Sequence, residues 1–254
     1  MNQLEFLSPA KAVSMADEWF EMANADHFWM RWRFAILRRQ MQSHRISPGK
    51  TLEIGCGHGV LRQQMEDTFL IAVDGCDLNQ DALRMAPVGQ GRLLVYDIFD
   101  RAPEMCGAYD MILLMDVLEH LDDDLDFLKT SLQHLKPGGI VAINVPAHMS
   151  LYSNYDTVAG HKRRYNSERL SSLFQKSNVT ALAMVNWGLS MVPLLLLRKL
   201  VLGYVSRERT IETGFTPPGR LMKNCLGLME AIETRIPCDM PIGTSIMALG
   251  RLNE

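Results

Sequence analysis

The sequence predicts an α/β chain built on a doubly wound, mostly parallel sheet. Three observations carry this. Short apolar runs alternate with helical patterns between residues 51 and 145, a glycine-rich turn follows the first run, and acids close the successive runs. Such alternation implies βαβ units and a parallel sheet. Seven strands are expected, the last antiparallel. The expected division is an N-terminal helical extension over 1–46, a core domain over 47–188 and 239–254, and a helical cap over 189–238 inserted between the last two strands.

The elements follow in order. Phe28, Trp29, Trp32 and Ile36 fall at helical spacing, so the first 45 residues are expected to be helical. Ser47-Pro48-Gly49-Lys50 is a turn signal that opens the core. Thr51–Ile54 is a short strand, and Val60–Glu66 begins a helix. Phe69–Cys76 is expected as the second strand, ending at Asp77, with Asn79–Met85 helical. Arg92–Tyr96 is the third strand, ending at Asp97. Tyr109–Met115 is the fourth, nearly all apolar, as a strand buried on both faces would be. Leu125–Leu135 is a helix closed by Lys136-Pro137-Gly138-Gly139, and Ile140–Val145 the fifth strand. Ser167–Phe174 is a helix with Asn166 or Ser167 as its cap. Val179–Trp187 and Thr244–Leu252 are the last strands. The long stretch between them holds an apolar run and a helix at Leu221–Thr234, which is the basis for the inserted cap.

Composition narrows the partners. The chain has 254 residues and a net charge of −3, so no basic field points to nucleic acid. Cys56, Cys76, Cys106, Cys225 and Cys238 include no C-x-x-C pair, which supports neither a disulfide framework nor a zinc site and suits a reducing cytoplasm. No metal is expected. Met1 to Ala12 lacks the pattern of a signal peptide. The apolar run Leu189 to Val205 is interrupted by Pro193, Arg198 and Lys199 and is too short to span a bilayer. It leaves a buried helix, a cap, peripheral membrane contact and a dimer contact all open, and with them a monomer or a homodimer.

The chemistry centres on Glu53-Ile54-Gly55-Cys56-Gly57-His58-Gly59, at the first strand-to-helix turn. Glycines there permit unusual dihedrals and close approach of a ligand, and ligands of open parallel sheets bind beyond the carboxyl ends of the strands. A dinucleotide fingerprint would need glycine where Val60 stands. Glu53, Asp77, Asp97, Asp116 and Glu119 close the strands, and this ring of acids would repel a pyrophosphate. A ligand bearing a sulfonium and an ammonium, as S-adenosylmethionine does, would be attracted instead. Asp77 follows Gly57 by 20 residues, where a carboxylate can accept ribose hydroxyls. Asp97 and Ile98 suit an adenine, and Met115-Asp116-Val117-Leu118-Glu119-His120 ends the fourth strand under the methyl group.

These blocks, with Gly75-Cys76-Asp77-Leu78-Asn79 and Leu135-Lys136-Pro137-Gly138-Gly139, occur in one order over residues 50 to 145. Here the chain resembles the class I methyltransferase superfamily. The resemblance implies S-adenosylmethionine as methyl donor and S-adenosylhomocysteine as product. It implies that Glu53, Gly55, Cys56, Gly57 and Gly59 hold the methionine part and Asp77 and Leu78 the ribose and adenine. Asp97 and Ile98 would hold the adenine, and Met115, Asp116 and His120 surround the sulfonium.

A second block lies past Pro146: Tyr152, Tyr155, Asp156, then Gly160-His161-Lys162-Arg163-Arg164-Tyr165. It looks like the Gly-His-x-Arg-Arg-Tyr segment of a bacterial subgroup related to quinone- and polysaccharide-linked methyltransferases. The chain lacks the tryptophan-bearing sequence of the ubiquinone-pathway enzymes after the fifth strand. His161, Tyr165 and His120 are the catalytic candidates, His161 because its ordinary pKa suits a base near neutrality. Tyr152, Tyr155, Arg163 and Arg164 are the substrate-binding candidates. Trp29, Trp32 and Arg33 either close a lid over the cofactor or belong to a packed N-terminal helix. The expected reaction is methyl transfer to an oxygen or nitrogen of a small-molecule acceptor, apolar or carbohydrate-linked. The rivals are a non-catalytic S-adenosylmethionine-binding subunit and a nicotinamide-dependent oxidoreductase.

Overall fold

A computed structural model describes residues 3–11, 24–202, 219–235 and 240–254. Strand β1, Leu4–Phe6, precedes helix α1, Phe28–Ser43. The core follows as β2 (Thr51–Ile54), α2 (Val60–Phe69), β3 (Val73–Asp77), α3 (Gln80–Met85), β4 (Leu93–Val95), β5 (Tyr109–Met115), α4 (Asp124–Leu132) and β6 (Leu135–Pro146). Then come α5 (Asn154–Val158), α6 (Ser167–Lys176), β7 (Val179–Trp187), α7 (Val192–Leu202), α8 (Gly219–Glu233) and β8 (Ser245–Leu252).

Among the described residues the sheet has eight strands in the order β1-β4-β3-β2-β5-β6-β8-β7, with β8 antiparallel to both neighbours and the rest of the pairs parallel. The chain order reverses at β2, whose neighbours are β3 and β5. That crevice is where ligands bind in such sheets.

The eighth strand corrects the expected seven. Residues 1–46 are not all helical, because Leu4–Phe6 pairs in parallel with Leu93–Val95 at the sheet edge. A three-residue strand carries too little periodicity to be read from sequence. Phe69 closes α2 rather than opening β3. The helix ends where Leu70 takes a left-handed φ of 55° and its N–H bonds the Glu66 carbonyl. Lys136-Pro137-Gly138-Gly139 lies inside β6, accommodated by a register shift against β5. The end of the apolar run and the 238/239 boundary, with Cys238, lie outside the described residues.

Strand β5 shows why the pattern gave the sheet. Ile112 and Leu114 pack on one face with Leu118, Leu128, Leu170 and Phe174, while Met111, Leu113 and Met115 pack on the other with Trp32, Leu37, Leu61 and Met65. All these side chains are buried, so successive residues meet apolar layers on opposite sides. Between β7 and β8, α7 contacts α5 and α8 contacts α1. Among the described residues no helix is long and apolar enough to cross a membrane.

Candidate active site

The carboxyl ends of β2 to β6 open into a cavity of about 620 Å³, within the range of small-molecule sites. At its first end, Gly55, Gly57 and Gly59 have φ of 73°, 53° and 72°. A Cβ on Gly55 would stand 2.7 Å from Val117 Cγ2, so this position needs glycine for space as well as for its dihedral. The turn is held from the next strand: Asp77 Oδ2 accepts from Gly57 N at 2.9 Å and Oδ1 from Asn79 N at 2.8 Å. Each oxygen keeps a lone pair for a further donor. Burial raises the Asp77 carboxyl above its ordinary value.

Glu53 is buried at the end of β2, and its Oε2 has no hydrogen-bond partner among the described residues. Burial pushes its carboxyl up to about 7, with Arg33 pulling the other way. An orphaned carboxylate oxygen facing a cavity calls for a donor from a ligand. An ammonium there would supply it, so the residues present fit the methionine end of S-adenosylmethionine.

The acid ring is real but partly neutralised. Glu53, Asp77, Asp97, Asp116 and Glu119 all line the cavity. Asp97 Oδ2 accepts from Lys11 at 2.5 Å, and Asp116 Oδ2 accepts from Arg33 at 2.6 Å. Asp116 Oδ1 accepts from Asn144 Nδ2 at 2.6 Å, and Asn144 Oδ1 from Trp187 Nε1 at 2.9 Å. Asp116 also has a positive φ of 60°, an uncommon state for a residue with a side chain. Trp187 in turn lies against Trp29 and Trp32, with ring centroids 4.6 and 6.0 Å apart. Helix α1 is therefore joined to the centre of the site. Phe28, Trp29, Met30 and Arg33 line the cavity, while Trp32 is core.

The other end is assembled after β5 and β6. His161 Nδ1 donates to Asp156 Oδ1 at 3.0 Å, and Arg164 Nε donates to the same oxygen at 2.8 Å. Burial works against the Asp156 carboxylate, but His161 and Arg164 bring it below the usual carboxylate range. Glu119 is fully buried, and neither of its oxygens has a hydrogen-bond partner among the described residues. Burial, and then the charge of Asp116, raise its carboxyl well above the ordinary value. His120 meets His161 edge to face with centroids 4.8 Å apart. Burial, then His161, push His120 down to about 4, so it is neutral at pH 7.

The cofactor candidates Glu53, Gly55, Cys56, Gly57, Asp77, Leu78, Asp97, Ile98, Met115, Asp116 and His120 line this one cavity; Gly59 caps α2 behind it. The acceptor candidates divide. His161, Tyr155 and Arg164 line the cavity, but Arg164 is occupied by Asp156 and the Ala147 carbonyl. Tyr152, Arg163 and Tyr165 do not line it. Tyr165 is buried, its hydroxyl donating to Asp124 at 2.8 Å, with its pKa raised by burial and by that carboxylate. Arg163 faces Asp122 and Asp124, and Tyr152 donates to the His161 carbonyl. The polar groups of these three meet partners within the protein. Sequence reading missed Asn144 and Trp187, which carry no motif signal. It counts Glu119 only in the ring of acids and Asp156 only as part of the second block, without a role of its own for either.

A profile of the methyltransferase-domain family matches residues 20–183. This chain belongs to that family. The fold and the glycine turn place it in the class I S-adenosylmethionine-dependent methyltransferase superfamily. The ubiquinone biosynthesis O-methyltransferase of Vibrio parahaemolyticus is 35% identical over 98 residues, covering 36% of this chain and 41% of that protein. The chain thus spans about two fifths of the length of this curated relative. Haemonchus contortus phosphoethanolamine N-methyltransferase 2, solved with S-adenosyl-L-methionine, superposes with a TM-score of 0.55 at 18% identity, over 85% of this chain and 53% of that one. The [4+2]-cyclase SpnF superposes with a TM-score of 0.58 at 14% identity, over 91% and 85%. At such identities the likeness is one of fold.

Proposed function

We propose that this methyltransferase moves a methyl group from S-adenosylmethionine to an oxygen of a small-molecule acceptor. The observation that carries the reading is the orphaned Glu53 Oε2 beside a positive-φ glycine turn, in one cavity with His161, which Asp156 orients. S-adenosylmethionine supplies an electrophilic methyl group on a sulfonium. Glu53 would hold its ammonium, the backbone of residues 55–57 its methionine portion, and Asp77 its ribose hydroxyls. Asp97 and Ile98 line the place for the adenine.

The chain's other contribution is enclosure and alignment, which supply much of the rate in such transfers. Phe28, Trp29 and Met30 from α1, and Met191 and Leu195 beside and within α7, give the cavity apolar walls. On this ground we assign the described start of the segment, residues 189–202, the role of a cap over an apolar-bodied acceptor. Asp156 fixes His161 with Nε2 toward the cavity, where it can handle the acceptor's hydroxyl proton. That proton-handling group, together with the O-methyltransferase relatives, favours oxygen over nitrogen. The SpnF likeness shows that the fold alone does not set the reaction.

The test is incubation with methyl-labelled S-adenosylmethionine and a panel of phenols, enols and sugar hydroxyls. The reading expects a labelled methyl ether and S-adenosylhomocysteine in equal amounts. Tight binding of the donor with no transfer to any class of acceptor would indicate a non-catalytic subunit instead.

A further inference from the structure

Glu119 and His120 stand in the turn after β5, and His161 in the loop between α5 and α6. One ligating atom from each lies within 4.8 Å of the others. Their chemistry is a carboxylate and two imidazoles, a donor set for divalent transition cations. Tetrahedral bonds of about 2.0–2.2 Å would set these atoms roughly 3.3–3.5 Å apart, so small side-chain rotations close the site.

Two further observations point to a ligand. Glu119 is 0% exposed, lines the cavity, and gives neither oxygen a hydrogen-bond partner among the described residues. A buried carboxylate in a merely structural role would have been given donors. Secondly, His161 is oriented as metal-bound histidines are. Asp156 accepts from Nδ1 at 3.0 Å, which leaves the lone pair on Nε2, and Nε2 faces Glu119 Oε1 at 4.0 Å. Asp156 is itself fixed by Arg164 and by the Ser153 N–H, each at 2.8 Å. A carboxylate behind a histidine in this way sets its tautomer and raises its basicity as a ligand. Asp116, though near, is committed to Arg33 and Asn144.

We propose that Glu119, His120 and His161 bind a divalent transition cation of the zinc or manganese class, with an open coordination position toward the cavity. The expectation of a metal-free protein arose because these ligands lie 41 residues apart in sequence, between His120 and His161, and share no spacing motif. The role we give the cation rests on the methyl-transfer reading: it would hold an acceptor oxygen and lower the pKa of its hydroxyl, whose proton passes to water as the methyl moves from sulfur to that oxygen. With the cation bound, His161 Nε2 is a ligand and no longer the group that takes the proton, and the acceptor is a phenol, enol or vicinal diol.

The experiment uses the full chain, stripped with a chelator and without methyl donor. It is titrated with zinc by calorimetry and with cobalt(II) by visible absorption, and S-adenosylmethionine binding is measured in parallel. The expected result is one zinc per chain and a cobalt band saturating at one equivalent. Glu119→Gln and His161→Gln should each weaken zinc binding by at least about a hundredfold. Asp156→Asn should weaken it by roughly ten- to a hundredfold while circular dichroism shows the fold retained. A folded protein that binds S-adenosylmethionine but no zinc or cobalt, or variants that bind zinc as the parent does, would overturn the cation site and leave the methyl-donor reading standing. Zinc binding without S-adenosylmethionine binding would uphold the site and remove that reading.

Discussion

The two ends of the cavity are built in opposite ways. The glycine-turn end comes from consecutive residues, 53 to 59, backed by Asp77 at the end of the next strand. The Glu119–His161 end is assembled from segments that meet only in the fold: the turns after β5 and β6, α5 and the loop after it. Each end buries a carboxylate short of donors: Glu53 lacks a partner for Oε2, and Glu119 lacks one for either oxygen among the described residues. The difference lies in the backing. Glu53 faces a backbone cradle, which suits an extended ligand held by many weak contacts. Glu119 faces two imidazoles, one already oriented by Asp156, which suits a single point of strong coordination or proton transfer.

Between them lies Asp116, and removing it should have the largest effect. Asp116→Ala leaves the Arg33 guanidinium, whose side chain is 8% exposed, without its carboxylate and frees the Asn144 amide. Loss of about 3 kcal/mol in urea unfolding is expected. An unchanged midpoint would show that the link from α1 to the site contributes nothing.

Asp77→Ala should cost about 1.5–3 kcal/mol in S-adenosylmethionine affinity by calorimetry, because it removes charge-assisted bonds to the ribose and the anchor of Gly57. If instead only the thermal midpoint falls, Asp77 serves the turn and not the ligand.

The Glu53 end should also be visible in pH. Its folded pKa, about 7, lies above the ordinary value, so the ligand-free fold loses stability as pH rises from about 4.5 to about 7 and levels off above that. A cationic ligand prefers the ionised form. Affinity for S-adenosylmethionine should therefore be full above about pH 7 and fall by up to about tenfold per unit below it. In Glu53→Gln this dependence should flatten; a parent profile already flat between pH 5 and 8 would contradict the assignment.

Tyr165→Phe gives the smallest effect. Asp124 keeps Arg169 at 2.8 Å, so a loss of roughly 1 kcal/mol in stability is expected. Turnover should stay within about twofold, and a loss far larger than that would restore Tyr165 to the catalytic group.

The contrast also explains what the sequence could show. Gly55, Gly57, Asp77 and Asp97 were legible because strand, turn and helix are local and the acid falls at the end of each strand. The β5 core was legible because a strand buried on both faces is apolar throughout. Strand β1 was not, since its pairing with β4 bridges some 90 residues through three positions. Arg164 and Tyr165 are candidates because they close the second block; the fold ties Arg164, at the cavity wall, to Asp156 and buries Tyr165 against Asp124. Asn144 and Trp187 are ordinary strand residues until Asp116 meets them. Proximity across segments, which makes the second end a site, has no spacing of its own.

The most direct test is calorimetric titration of the full chain with S-adenosylmethionine and, separately, with NAD at pH 7.5. The account predicts one S-adenosylmethionine site with a dissociation constant on the order of 1–100 µM, and no comparable heat from NAD. Preference for NAD, or no binding of S-adenosylmethionine by the folded protein, would contradict it.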